Sequence, residues 1–389
     1  MLSRRGALLG LTAAWTMGGA SLALADAPTE KRLVVVLLRG ALDGLAAVQP
    51  YGDPALAGLR PGLVAREPGP ADGLLDLGGF YGLHPALSGL HGLYKAGQLL
   101  PVHAVAGPYR SRSHFDAQDY LESGAEERLA SGWLNRAVAA MPGRRANAAM
   151  SFGVTVPLVL RGAAAVGTYA PTGYGALQAD LYARIAELSH EDPVVGPAVA
   201  EGLRDRGFAN GVLAGMEVTG DRNAVVNLAA AAGRLLAAAD GPRVAVVEAG
   251  GWDTHAQQVQ RLRGPLTLLD TGLMALRKAL GDAWADTAVL VVTEFGRTAQ
   301  VNGTQGTDHG TGTVAFVLGG GVAGGRVGGT WPGLGAGKLF ENRDLAPTTD
   351  VRTLAMGLLV GHLGIPAAAM GVVFPGSGGV SAQGGLLRV

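Results

Sequence analysis

Leu33-Val34-Val35-Val36-Leu37-Leu38 is an unbroken aliphatic run, with Lys31-Arg32 before it and Arg39-Gly40 after it. A strand that is apolar at every position has both faces buried, as in a parallel sheet covered by helices on each side. Outward from it, similar runs recur at Leu99 to Ala106, Arg243 to Glu248, Ala288 to Thr293 and Thr313 to Leu318. Between them, apolar residues at three- and four-residue spacing predict helices over Pro85 to Gly97, Phe115 to Ser123, Asn223 to Ala239 and Pro265 to Leu280. This alternation predicts an α/β fold, a doubly wound and mostly parallel sheet with helices on both faces, in a single domain over residues 26–389. Met150 to Gly167, with several β-branched residues, is expected to be an insertion or edge segment, and glycine-rich Gly319 to Gly337 to form surface turns.

The first residues carry a different message. Basic Ser3-Arg4-Arg5, an apolar stretch from Ala7 to Leu24 and a small-residue exit at Ala23-Leu24-Ala25 predict a signal peptide over residues 1–25, cleaved before Asp26. Gly6, Gly10, Gly18 and Gly19 dilute the apolar stretch, which argues against a retained membrane span. The paired arginines resemble the twin-arginine signal read by the Tat export machinery, so the protein is expected to be exported folded, to the periplasm or beyond. Lys+Arg and Asp+Glu are 31 each, so no long-range field favours nucleic acid. With no cysteine, disulfides, thiolate metal sites and a cysteine nucleophile are excluded.

In an open parallel sheet, ligands bind beyond the carboxyl ends of the strands, so the residues just after each aliphatic run are the informative ones. They are acidic and histidine-bearing: Asp43 after the first run; Ser113, His114 and Asp116 after the second; Glu248, Asp253 and His255 after the third; Glu294 and Arg297 after the fourth; and Asp308-His309 ahead of the last. An isolated Asp-x-His is more often a hydrogen-bonded turn than a ligand pair, but carboxylates and imidazoles converging from several strand ends are what a divalent-metal hydrolytic site requires. Of the 8 histidines, His114, His255 and His309 fall in such loops. His84, His91, His103, His190 and His362 lie in apolar or ordinary polar surroundings and read as structural. Ser113 is a candidate nucleophile at a helix start, although serine followed three residues later by Asp116 also resembles a helix cap. Arg110, Arg112 and Arg297 are candidates to clamp an oxyanion.

Several stretches then resemble a known family: VVLLRGALDGLAAVQPYG (Val35 to Gly52), RSHFDAQDYLESG (Arg112 to Gly124), SGWLN (Ser131 to Asn135), GGWDTH (Gly250 to His255), TEFGRT (Thr293 to Thr298) and TDHG (Thr307 to Gly310). They are similar to Tat-exported bacterial proteins described as a domain of unknown function and placed in the alkaline phosphatase superfamily. The resemblance implies an alkaline-phosphatase-like fold, with Ser113 as nucleophile and the metal drawn from Asp43, Asp253, His255, Glu294, Asp308 and His309. His114 and Arg297 join Ser113 as catalytic candidates. Two departures stand out. Asp253-Thr254-His255 is a shorter gap than the superfamily's, and Glu294-Phe295 replaces an Asp-His pair, leaving His114 or Asp308 to stand in for the missing imidazole.

The expected function is a secreted metal-dependent hydrolase or transferase acting on a phosphoester or related oxyanion ester, within a small molecule or a polymer. Zinc, manganese or calcium is the expected cofactor. The alternative is a non-catalytic binding or assembly protein that retains the fold.

Overall fold

A computed structural model describes residues 30–145, 147–170, 187–189, 192, 195–214 and 224–388. The expected signal peptide with its cleavage point, and His190, lie outside the described residues. The main sheet contains β1 (Arg32–Leu38), β5 (Leu99–Ala106), β6 (Ala149–Phe152), β7 (Gly167–Tyr169), β8 (Val244–Ala249), β9 (Thr287–Thr293), β10 (Thr313–Gly319) and β11 (Thr349–Asp350). A small second sheet contains β2 (Val48–Gln49), β3 (Leu75–Asp76) and β4 (Gly82–Leu83). The longer helices are α1 (Ser88–Lys95), α2 (His114–Ser123), α3 (Trp133–Ala139), α4 (Val195–Val212), α5 (Ala224–Ala237), α6 (Gln258–Leu280) and α7 (Val351–Gly361).

The strand order of the main sheet is β11-β5-β10-β9-β1-β8-β6-β7. The quoted run forms its middle, β1 pairing in parallel with β8 on one side and β9 on the other. Because successive side chains of a strand point to opposite faces, Val34, Val36 and Leu38 join one core with α5 and α6, while Leu33, Val35 and Leu37 join a second core with α3 and α7. Each such burial stabilises by about 1.5–3 kcal/mol. The expected α/β architecture, mostly parallel with helices on both faces, is what the chain adopts. The segment from Met150 to Gly167 does lie at an edge, as β6, β7 and the turns joining them.

Two features differ from the sequence reading. The helix expected from Pro265 begins at Gln258 and keeps Pro265 inside it. Its first turn is fixed by tertiary contacts that outweigh local propensity: the buried Gln258 side chain accepts hydrogen bonds from Thr254 (2.9 Å) and Thr307 (2.6 Å). Strand β10 runs antiparallel to both neighbours, β5 and β9. The loop ahead of β10 therefore lies at the edge where the parallel strands end, and this reversal brings His309 to the same edge as His255. Among the described residues no helix is long and apolar enough to cross a membrane.

Asp43, just past β1, caps the single helical turn Gly44–Ala47, its Oδ1 accepting the Ala46 amide at 3.3 Å. Its Oδ2 is paired with Arg60 Nη1 at 2.7 Å, and both side chains are almost wholly buried. Arg60 also donates to the carbonyls of Ala299 (2.9 Å) and Thr298 (2.6 Å), so this ion pair joins the start of the chain to the loop after β9. Removing one partner leaves a buried charge uncompensated. Arg60→Met is expected to lower the unfolding free energy by about 3–5 kcal/mol in urea denaturation; a loss below about 1 kcal/mol would show that the pair does not hold these segments together.

Candidate metal centre

Three imidazoles and one carboxylate meet at the carboxyl edge of the sheet. His114 opens α2, Asp253 and His255 follow β8, and His309 precedes β10. His309 Nε2 lies 2.9 Å from His114 Nε2 and 2.9 Å from His255 Nε2. Asp253 Oδ1 lies 3.0 Å from His255 Nε2, 3.3 Å from His309 Nε2 and 3.5 Å from His114 Nε2. His114, Asp253 and His309 alone form a set of ligand atoms within 4.8 Å of one another, suited in type and spacing to a metal ion.

The other nitrogen of each ring decides what the inward atoms are. His309 Nδ1 is 2.8 Å from the Arg112 carbonyl, which can only accept, so the proton sits on Nδ1 and donates to it. His114 Nδ1 donates to Glu294 Oε1 at 2.8 Å, and His255 Nδ1 to Asp308 Oδ1 at 3.0 Å. With each Nδ1 proton engaged, a neutral ring turns an Nε2 lone pair toward the others, the arrangement in which outer acceptors orient histidine ligands on a metal.

The carboxylates of the cluster are held in the ionised form, and Glu294 among them is buried. Burial alone would push Glu294 up, but hydrogen bonds from His114, Gln118 and Thr293 hold it below the usual carboxylate range. Its Oε1 takes Gln118 Nε2 and the Gly40 amide, each at 2.9 Å. Burial would likewise raise Asp253, and Arg297, donating from Nη1 at 2.6 Å, holds it down. Asp308 is kept low by a hydrogen bond from Asn302 and, against some burial, by His255. The Glu294 carboxylate pushes His114 up, whereas burial pushes His309 down, aided by the nearby His114 and Arg297. Phe295 packs its ring against His114 (4.9 Å between centroids) and His309 (5.3 Å) as a buried wall.

Of the expected metal ligands, Asp253, His255 and His309 lie at the centre. Glu294 and Asp308 stand behind the imidazoles they hold, and Asp43 is not brought there, since Arg60 and Gln258 occupy its carboxylate. His114, expected among the catalytic residues and as a stand-in for the missing imidazole, brings its Nε2 to the cluster. Arg297 is buried, and its guanidinium is committed to Asp253 and to Thr307; it positions Asp253 and has no free face for a substrate oxyanion. Ser113 is the N-cap residue of α2 but makes no side-chain capping bond, and Asp116 bonds Tyr109 and Arg128 instead of closing a capping box. His84, His91, His103 and His362 each bond backbone away from the cluster. Sequence reasoning missed Asn302, which reads as an ordinary turn residue, and Gln118, which the spacing of four from His114 on one helix places on the same face. Solvent reaches the donors, with side-chain exposure of 46% at Asp253 and 43% at His255, while Glu294 behind them is 1% exposed.

Residues 100–370 match the family described as Protein of unknown function (DUF1501). No curated protein matches the chain. Among solved structures, the crystal structure of Ps i-CgsB in complex with k-i-k-neocarrahexaose is similar at 10% identity and a TM-score of 0.40, over 87% of this chain and 73% of that one.

Because its pKa lies below the ordinary 6.5, His309 is expected near neutral pH, without added metal, as the neutral tautomer protonated on Nδ1. Long-range nitrogen–proton correlation spectra of the ring report this directly; an Nε2-protonated pattern would remove the lone pair on which the cluster turns.

Proposed function

The chain belongs to the DUF1501 family, and we propose that it is an exported metal-dependent hydrolase or transferase acting at a single metal centre on a phosphoester or related oxyanion ester. The observation that carries this reading is the convergence of three imidazole nitrogens with Asp253, each ring having its outer nitrogen already engaged. Four donors around one ion at about 2.0–2.1 Å stand about 3.3–3.4 Å apart. Among His114, Asp253 and His309 the separations, 2.9, 3.3 and 3.5 Å, bracket that value, and His255 adds an Nε2 at 2.9 Å from His309 and 3.0 Å from Asp253. Three imidazoles suit zinc or a similar transition ion and do not suit calcium, which takes oxygen ligands.

When bound, such an ion supplies a Lewis acid at the point where the donors meet. The chain supplies the rest. Arg297 keeps Asp253 ionised and aimed inward, and Glu294 and Asp308 fix the planes of two rings. Ser113 is supported as the nucleophile by its place in the chain, between Arg112, whose carbonyl holds His309, and His114 of the cluster. It also stands at the start of α2, where unpaired first-turn amides favour negative charge. In this reading the Ser113 oxygen bonds to phosphorus as the bond to the ester's alcohol breaks, the alcohol leaving with the proton that the serine gives up, and water then displaces the serine oxygen, which regains a proton as phosphate is released. A serine at a helix start, on a helix that ends in Ser123-Gly124, is the feature that supports an alkaline-phosphatase-like ancestry. The departure is Asp43, whose pairing with Arg60 takes it out of any second metal site.

Metal analysis of the purified chain after exposure to zinc, manganese and calcium, with a panel of aryl phosphate mono- and diesters and sulfate esters, tests the proposal. Retention of about one zinc per chain is expected, with turnover of at least one ester class. His255→Ala and His309→Ala should lose the metal and the activity together. Ser113→Ala should keep the metal and lose activity by at least about 10³-fold. Metal retained without turnover would support the binding or assembly reading instead, and neither metal nor turnover would overturn the proposal.

A further inference from the structure

Asp344 lies between β10 and β11, its side chain wholly buried, and a carboxylate so placed must find partners inside the protein. Besides the adjacent Arg343, those partners come from the two loops that carry His309 and His114. Its Oδ2 accepts Arg112 Nε at 3.0 Å, Arg112 Nη2 at 2.8 Å and Thr311 Oγ1 at 2.8 Å, while Oδ1 accepts Arg343 Nη1 at 3.0 Å. Arg112 is two residues ahead of His114, and its carbonyl is the group that fixes the ring of His309. Thr311 is two residues beyond His309. The loop after β9 is tied in as well, through a bridge between Thr298 and Asp344 and a 3.0 Å bond from the Ala299 amide to the Arg343 carbonyl.

We propose that Asp344 is a positioning residue for the metal centre, setting the Arg112 carbonyl at the place where it holds His309 with its Nε2 inward. The inference rests on the metal-centre reading above. Asp344 touches none of the four donors; it acts through Arg112 on one loop and Thr311 on the other. A merely structural ion pair would contribute to stability, yet leave the His309 tautomer and the metal affinity as they are.

The test compares Asp344→Asn and Arg112→Lys with the unsubstituted chain. Asp270→Asn serves as a control, since it weakens a buried carboxylate that holds the Gly89 and Leu90 amides on another part of the fold. Zinc affinity from calorimetric titration and the His309 ring-nitrogen signals of the metal-free protein are read alongside thermal unfolding. Asp344→Asn and Arg112→Lys are each expected to weaken zinc binding by about 10–100-fold, the effect of losing an outer-shell partner. Both should also shift the His309 signal toward a mixture of tautomers, while Asp270→Asn changes only the unfolding temperature. Should Asp344→Asn fail to fold, Arg112→Lys, at a side chain 28% exposed, carries the comparison. Unchanged affinity and an unchanged His309 signal in the folded variants would overturn the proposal. If the unsubstituted chain binds no zinc, the functional reading falls, and the His309 signal alone decides whether Asp344 positions the ring.

Discussion

His309 Nε2 stands 2.9 Å from both His114 Nε2 and His255 Nε2, and bare lone pairs at that distance repel unless a proton or a cation stands between them. That constraint organises this edge of the molecule. Each ring is held in the required orientation from behind, by Glu294, by Asp308 and by the Arg112 carbonyl. Each of these supports is itself held, Glu294 by Gln118, Thr293 and the Gly40 amide, Asp308 by Asn302. A ring free to rotate would relieve the conflict by exchanging donor for acceptor. The surrounding hydrogen bonds oppose that exchange.

Bringing the loops close enough depends on backbone more than on side chains. A Cβ on Gly296 would overlap the Gly312 carbonyl oxygen, and one on Gly310 would overlap the backbone of Arg297, so the loops after β9 and before β10 touch at positions only glycine can fill. Gly40, at a φ of +118°, approaches the Asp253 amide in the same way and turns its own amide to Glu294. The reversed direction of β10 completes the arrangement. Were β10 parallel, the Asp308-His309 loop would enter the sheet from the opposite edge.

Legibility in the sequence follows the range of the forces involved. The strands were readable because a doubly covered strand must be apolar at every position, and the observed bounds of β1 and β5 follow the runs closely. Residue types at strand ends were readable because soft and hard ligands are few, which is why Asp253, His255 and His309 could be named. The division between ligand and support was not readable. Glu294 and Asp308 have the same chemistry as Asp253, and only the position of His114 Nδ1 and His255 Nδ1 assigns them to the outer shell. Asp43 looked like a ligand by its place after β1; its partner, Arg60, sits in Leu59-Arg60-Pro61, where nothing local marks a buried guanidinium. Asp344 was illegible for the same reason, since its partners are remote in sequence.

Charge gives the last step. The groups bonded directly around the cluster include three carboxylates, Asp253, Glu294 and Asp308, all shifted toward the ionised form, against the single guanidinium of Arg297. With neutral imidazoles this leaves two negative charges uncompensated. Of the neighbouring networks, Asp43 is matched by Arg60, and Asp344 with Glu341 by Arg112 and Arg343, whereas Arg39 alone faces Glu122 and Glu248. The excess around the cluster has the size of one divalent cation's charge. A proton can relieve part of it, and Glu294 and Asp253 raise the pKa of His114; a proton on His309 would have to sit against the burial that lowers its pKa. On the proposed reading, a doubly charged ion would satisfy the charge and the lone pairs together, with no ring forced to turn.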